Sequence, residues 1–122
     1  MATRCYVMIK ENETVRFNYI HNDGYIKNGV GQNLLENYNS QELAESLLKV
    51  GDRSTLTSEE PYSDFDPDTT TFDFAEMEDF IKECESIEFF YLWDGVWKVR
   101  QKDSQEFCLL SEILKSWRFG EL

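Results

Sequence analysis

Cationic residues, histidine and paired cysteines are all scarce in this sequence, and each shortage removes a class of function. Lys and Arg number 12 against 24 Asp and Glu, so no basic surface of the kind that holds nucleic acid is expected. Histidine occurs once, at His21. A general base needs a positioned partner, and Asp23, the nearest acid, shares a turn with it, so His21 is not expected to be catalytic. The three cysteines, Cys5, Cys84 and Cys108, are odd in number and far apart. That spacing excludes a Cys-x-x-Cys redox pair and a zinc site built from local pairs, and argues against a disulfide framework. No stretch approaches the ~20 apolar residues of a membrane span. Met1-Ala2-Thr3-Arg4-Cys5-Tyr6 lacks the apolar run of a signal peptide. The expected compartment is the cytoplasm.

What the chain does have is aromatic mass and localised acidity. Nine Phe, six Tyr and three Trp within 122 residues supply the large burial areas of a packed core, and one domain spanning residues 1–122 is expected. The formal net charge is −12. Residues 59–88 hold 12 carboxylates and a single cation, Lys82, a net of −11, so the rest of the chain is close to neutral. A field of one sign in one segment repels nucleic acid and membrane surfaces and attracts basic protein patches.

Hydrophobic periodicity outlines the elements. Cys5, Val7 and Ile9 alternate with Arg4, Tyr6, Met8 and Lys10, and Val15, Phe17 and Tyr19 alternate with Arg16, Asn18 and Ile20 beyond a polar turn, which predicts an antiparallel hairpin. Val30, Leu34, Leu35 and Tyr38 follow a helical spacing. Asn39 and Glu42 suggest a cap for a second helix carrying Leu43, Leu47 and Leu48. Residues 52–73 hold both prolines and read as a long acidic loop. Asp73 and Glu76 open a third helix, with Phe74, Met77, Phe80, Ile81 and Cys84 on one face. Asp94-Gly95 marks a tight turn between two strands, and Leu110, Ile113, Leu114 and Trp117 mark a last helix. The expected fold is α+β: a four-stranded antiparallel sheet from two hairpins, with about four short helices mostly on one face.

Most local motifs have plain readings. Asp64, Asp66 and Asp68 alternate as in a calcium loop, but Thr69 stands where that loop requires Gly and Ala75 where it requires Glu. No metal or cofactor is therefore expected. Gly29-Val30-Gly31 lacks the remaining glycine and the lysine of a phosphate loop; it opens a helix, so an anion could sit there in principle. The acidic segment departs furthest from an ordinary domain. Glu76, Asp79 and Glu83 form one helical stripe, and Glu78 and Glu85 a second. Carboxylates near a helix C-terminus oppose the dipole, which a merely solvated face does not explain for Glu83, Glu85 and Glu88.

The runs His21-Asn22-Asp23-Gly24-Tyr25 and Gly29-Val30-Gly31-Gln32-Asn33-Leu34-Leu35-Glu36-Asn37-Tyr38-Asn39 resemble a group of small uncharacterised proteins encoded by phages and prophages. Leu47-Leu48-Lys49-Val50-Gly51-Asp52-Arg53-Ser54 and Phe90-Tyr91-Leu92-Trp93-Asp94-Gly95-Val96-Trp97-Lys98-Val99 continue the resemblance. The group's turn more often reads His-Trp-Asp-Gly-Tyr, so Asn22 is a departure. The resemblance implies a phage accessory protein and carries no assigned activity. By analogy of class, small acidic phage proteins of other folds inhibit host defence, in the manner of anti-CRISPR proteins, by occupying a nucleic-acid site. The resulting expectation is a non-enzymatic protein that binds a basic surface of a host protein through Asp64, Asp66, Asp68, Glu76, Asp79, Glu83 and Glu85, without contacting nucleic acid or membrane itself. Two rivals are a small-ligand binder or enzyme using the turn of His21, Asp23 and Tyr25, and a structural or regulatory phage protein whose acidity is incidental.

Overall fold

The computed structural model of the chain describes residues 3–50 and 70–118. Strands β1 (Cys5–Glu11), β2 (Thr14–Ile20), β3 (Thr70–Asp73), β4 (Phe89–Trp93), β5 (Trp97–Gln101) and β6 (Cys108–Leu109) form one sheet in the order β3-β2-β1-β4-β5-β6. Both expected hairpins are present. Glu11 pairs with Thr14, so Asn12 and Glu13 alone make the first turn. Asn12 takes a φ of 58°, a left-handed conformation that asparagine tolerates. Trp93 pairs with Trp97, so the second turn has three residues rather than two, with Gly95 at φ 79°. Glycine at the left-handed position is what such a loop requires.

The two hairpins join through β1 and β4, which run parallel from Cys5 opposite Phe89 to Ile9 opposite Trp93. The sheet is therefore mixed and six-stranded, not four-stranded and antiparallel. Phe89-Phe90-Tyr91-Leu92-Trp93 is apolar at every position, which suits a central strand covered on both faces. Four of its five residues are buried. A parallel pairing needs a long crossover, and the chain between β1 and β4 supplies it. The last four residues of the expected 52–73 loop are β3, paired antiparallel with β2. Thr70, Thr71 and Phe72 favour strands, but the run is too short to show alternation. Two-residue β6 is shorter still.

Helices α1 (Val30–Asn37), α2 (Gln41–Val50) and α4 (Leu110–Arg118) share a core with Val7, Ile9, Tyr91, Trp93, Trp97 and Val99 on one face of the sheet. Indole hydrogen bonds fix the helices to it: Trp97 Nε1 donates to the Tyr38 carbonyl at 3.0 Å and Trp93 Nε1 to Gln41 Oε1 at 2.6 Å. Ser40, not Asn39, caps α2, its Oγ accepting from the Leu43 amide at 3.2 Å. Helix α3 (Met77–Glu83) lies on the opposite face, over Met8, Val15, Phe90 and Leu92. It is entered through a single 3-10 turn, Phe74–Glu76, and Asp73 makes no side-chain capping bond.

Candidate functional site

Helix α3 is attached by its apolar face. Met77 and Ile81 are buried, and Phe80 stacks on Phe72 of β3 at 4.1 Å with rings 11° from parallel. The Phe80 ring also lies 4.9 Å from Phe17 and 5.6 Å from Tyr6. On the side of α3 that looks toward β5, Arg100 grips Glu78 with two hydrogen bonds, Nη1 to Oε1 at 2.6 Å and Nη2 to Oε2 at 3.1 Å. Arg100 is 7% exposed. Its Nε donates to the Ser104 carbonyl at 3.0 Å, so the guanidinium is held from both sides. Hydrogen bonding to Arg100 lowers the Glu78 carboxyl below the usual range, against a smaller desolvation effect. Just past the helix, Lys102 Nζ donates to the backbone carbonyl of Glu85. The expected second stripe thus splits: Arg100 pairs with the Glu78 carboxylate, whereas Lys102 reaches only the Glu85 backbone, and the Glu85 carboxylate has no described cation within 4 Å.

The other flank has no such compensation. At 3.6 residues per turn, Asp79 and Glu83 lie roughly 100–140° around the helix from Glu78, and Glu76 closes the 3-10 turn just before them. That turns them away from β5, to the side on which Phe80 meets β3. All three are exposed, and none has a cation within 4 Å among the described residues. The neighbouring hairpin tip extends the negative region. Phe74 N donates to the Glu13 carbonyl at 2.6 Å, which brings Glu13 beside Asp73. Together with Lys10, Asn12, Thr14, Phe74 and Ala75, these acids line a half-open cavity of about 550 Å³. The Lys10 ammonium sits 4.1 Å above the Phe74 ring.

Because α3 ends at Glu83, only that residue is in a last turn opposed by the dipole. Glu85 and Glu88 follow the helix, and the Glu88 amide already donates to the Arg4 carbonyl at the start of β4. The dipole argument for these two does not hold. Asp64, Asp66 and Asp68 lie outside the described residues. Among the described residues no group of three His, Cys, Asp or Glu could hold a metal ion, and no helix is long and apolar enough to cross a membrane.

The turn of His21, Asp23 and Tyr25 assigns its polar groups to separate partners. His21 Nδ1 bonds the Tyr19 hydroxyl at 2.6 Å, while Asp23 accepts from the Tyr25 hydroxyl at 3.1 Å. That bond raises the Tyr25 phenol above its ordinary pKa, away from a base useful at neutral pH. The backbone around them is a clasp. Val30, Gly31 and Gln32 amides donate to the carbonyls of Asp23, Tyr25 and Ile26, so the start of α1 has these donors satisfied internally. This overturns the expectation that an anion could be received there. A Cβ at Gly29 would collide with the carbonyl oxygens of Tyr25 and Asp23, and one at Gly31 would sit 2.8 Å from Ile26 Cα. The buried Tyr91 hydroxyl donates to the Gly24 carbonyl at 2.6 Å, a link across the chain that no local pattern reveals. Cys5 is buried, which pushes its thiol far up; Cys84 is half-buried and its thiol is also raised by burial.

Compared with protein-family models, curated proteins and solved structures, the chain finds no match.

Proposed function

We propose that this chain is a non-catalytic phage accessory protein that binds a basic, nucleic-acid-handling surface of a host protein. The flank of Glu76, Asp79 and Glu83 would stand in for phosphates. The observation that carries this reading is the asymmetry of α3. On one side the Glu78 carboxylate is paired with Arg100, whereas Glu76, Asp79 and Glu83 are exposed with no described cation within 4 Å. Like charges three or four residues apart destabilise a short helix. An amphipathic helix turns its polar residues to solvent, and the dipole favours acids at its start, but neither accounts for Glu83 in the last turn. Duplex DNA carries one charge per ~1.7 Å of axis, so a groove shaped for phosphates suits a short row of carboxylates. Such a field acts over the ~8 Å screening length of physiological salt. The phage assignment and the likeness to anti-defence inhibitors rest on the resemblance and its analogy.

The test is affinity capture from a bacterial lysate, at low salt and at 1 M, where screening shortens to ~3 Å. Specific captures should be lost at high salt and lost with E76K/D79K/E83K. They should persist when two acids on the other face of the sheet, Glu36 and Glu42, are reversed instead. Captures insensitive to salt and to the triple reversal would reduce the carboxylates to a solubilising face.

A further inference from the structure

Among the described residues, β3 is the terminal strand of the sheet. Its antiparallel pairing with β2 sets Thr14 opposite Asp73, Val15 opposite Phe72, Arg16 opposite Thr71 and Phe17 opposite Thr70. In an antiparallel ladder only every second pair exchanges hydrogen bonds. The bond from Phe74 N to the Glu13 carbonyl sets the phase. Phe72 and Thr70 therefore bond to β2, while Thr71 and Asp73 turn their N–H and C=O groups outward. Both residues are exposed. An outward-facing row of backbone donors and acceptors is a template for another strand.

From this edge and the charge beside it, we infer that β3 receives an extended, basic segment of a partner protein by strand addition. The inference rests on the proposed reading that the carboxylate flank of α3 is a docking surface, and it names the form of what docks. An added strand would point alternate side chains to the α3 face of the sheet. There they would pass beside Phe72 and reach Glu76, Asp79 and Glu83. A lysine or arginine can lay its apolar stem against such a ring while its charge pairs beyond it. Asp73 adds a carboxylate on the edge itself. Main-chain bonds would supply affinity, and the carboxylates would select a basic sequence over a neutral one.

The experiment uses the whole chain and a nine-residue synthetic peptide of alternating Arg and Val. At low salt the peptide should bind and slow amide exchange at Thr71 and Asp73 by at least about tenfold. Thr71→Pro removes one outward N–H without touching the ladder to β2. It should weaken the peptide by about tenfold or more. E76K/D79K/E83K should weaken it as well. Loss with the reversals but binding to Thr71→Pro within twofold of wild type would overturn strand addition and leave the carboxylate reading standing. No peptide binding, or binding with exchange at Thr71 and Asp73 unchanged, would also overturn it. If Thr71→Pro fails to fold, exchange in the wild-type protein decides.

Discussion

Arg100 on β5 holds Glu78 on α3 in a two-pronged ion pair with its closer bond at 2.6 Å, and this single contact sets Glu78 apart from Asp79 and Glu83, which have no described cation within 4 Å. Arginine's planar fork suits the bidentate geometry. The pair is unequal, for Arg100 is 7% exposed and the Glu78 side chain 61%. Solvent screening from the glutamate's side limits what the pair contributes. Its loss is felt mainly as an almost buried guanidinium left without its counter-charge.

Glu78→Gln is therefore expected to cost about 1 kcal/mol at neutral pH. The sign of the pH dependence follows from the lowered carboxyl. Stability contributed by a depressed acid is complete above its unfolded pKa, about 4.3 for glutamate, and is lost as pH falls through the lower folded value. Melting curves of wild type and Glu78→Gln should differ at pH 7 and converge in acid. A gap that stayed constant with pH would contradict an ionic role for Glu78.

The clasp between the 21–31 turn and the sheet makes a second prediction. Tyr91→Phe leaves the Gly24 carbonyl without its buried donor and should cost roughly 1–3 kcal/mol. Gly29→Ala forces a methyl group against two backbone oxygens and should cost about 1–3 kcal/mol as well. Denaturant melts measure both. A neutral Gly29→Ala would mean that the turn can open without penalty.

Much of the fold could be read from the residues, and the parts that could not share a physical cause. The period-two runs at Cys5, Val7, Ile9 and at Trp97, Val99 announced their strands because these residues share one sheet face and enter one core. The helical spacing of Met77, Phe80 and Ile81 announced α3. Strand order escaped because the contacts that decide it, such as Cys5 opposite Phe89, join residues far apart in sequence. At the candidate site, the stripe of Glu76, Asp79 and Glu83 was legible from spacing alone. Which acid is paired was not, since that depends on where β5 brings Arg100. The alternating Lys98 and Arg100 were the available signal: they lie on the sheet face opposite Trp97 and Val99, the face on which α3 brings Glu78 to Arg100.

Thiol reactivity should follow burial. Cys5 is fully buried and Cys108 exposed. Iodoacetamide should label Cys108 in the native protein and Cys5 only after unfolding. Melting curves with and without reductant should coincide, because the three described cysteines are free. Native labelling of Cys5 would contradict its place under the helices.

If the carboxylates on one flank of α3 occupy a site that phosphates would otherwise fill, as proposed, a nucleic-acid duplex must compete with this chain for its partner. The immobilised chain is offered a bacterial lysate with increasing amounts of a short DNA duplex, and captured proteins are quantified. Partners bound through E76K/D79K/E83K-sensitive contacts should be displaced in proportion to their occupancy by the duplex. Capture that depends on these carboxylates yet stays constant at saturating duplex would contradict phosphate mimicry.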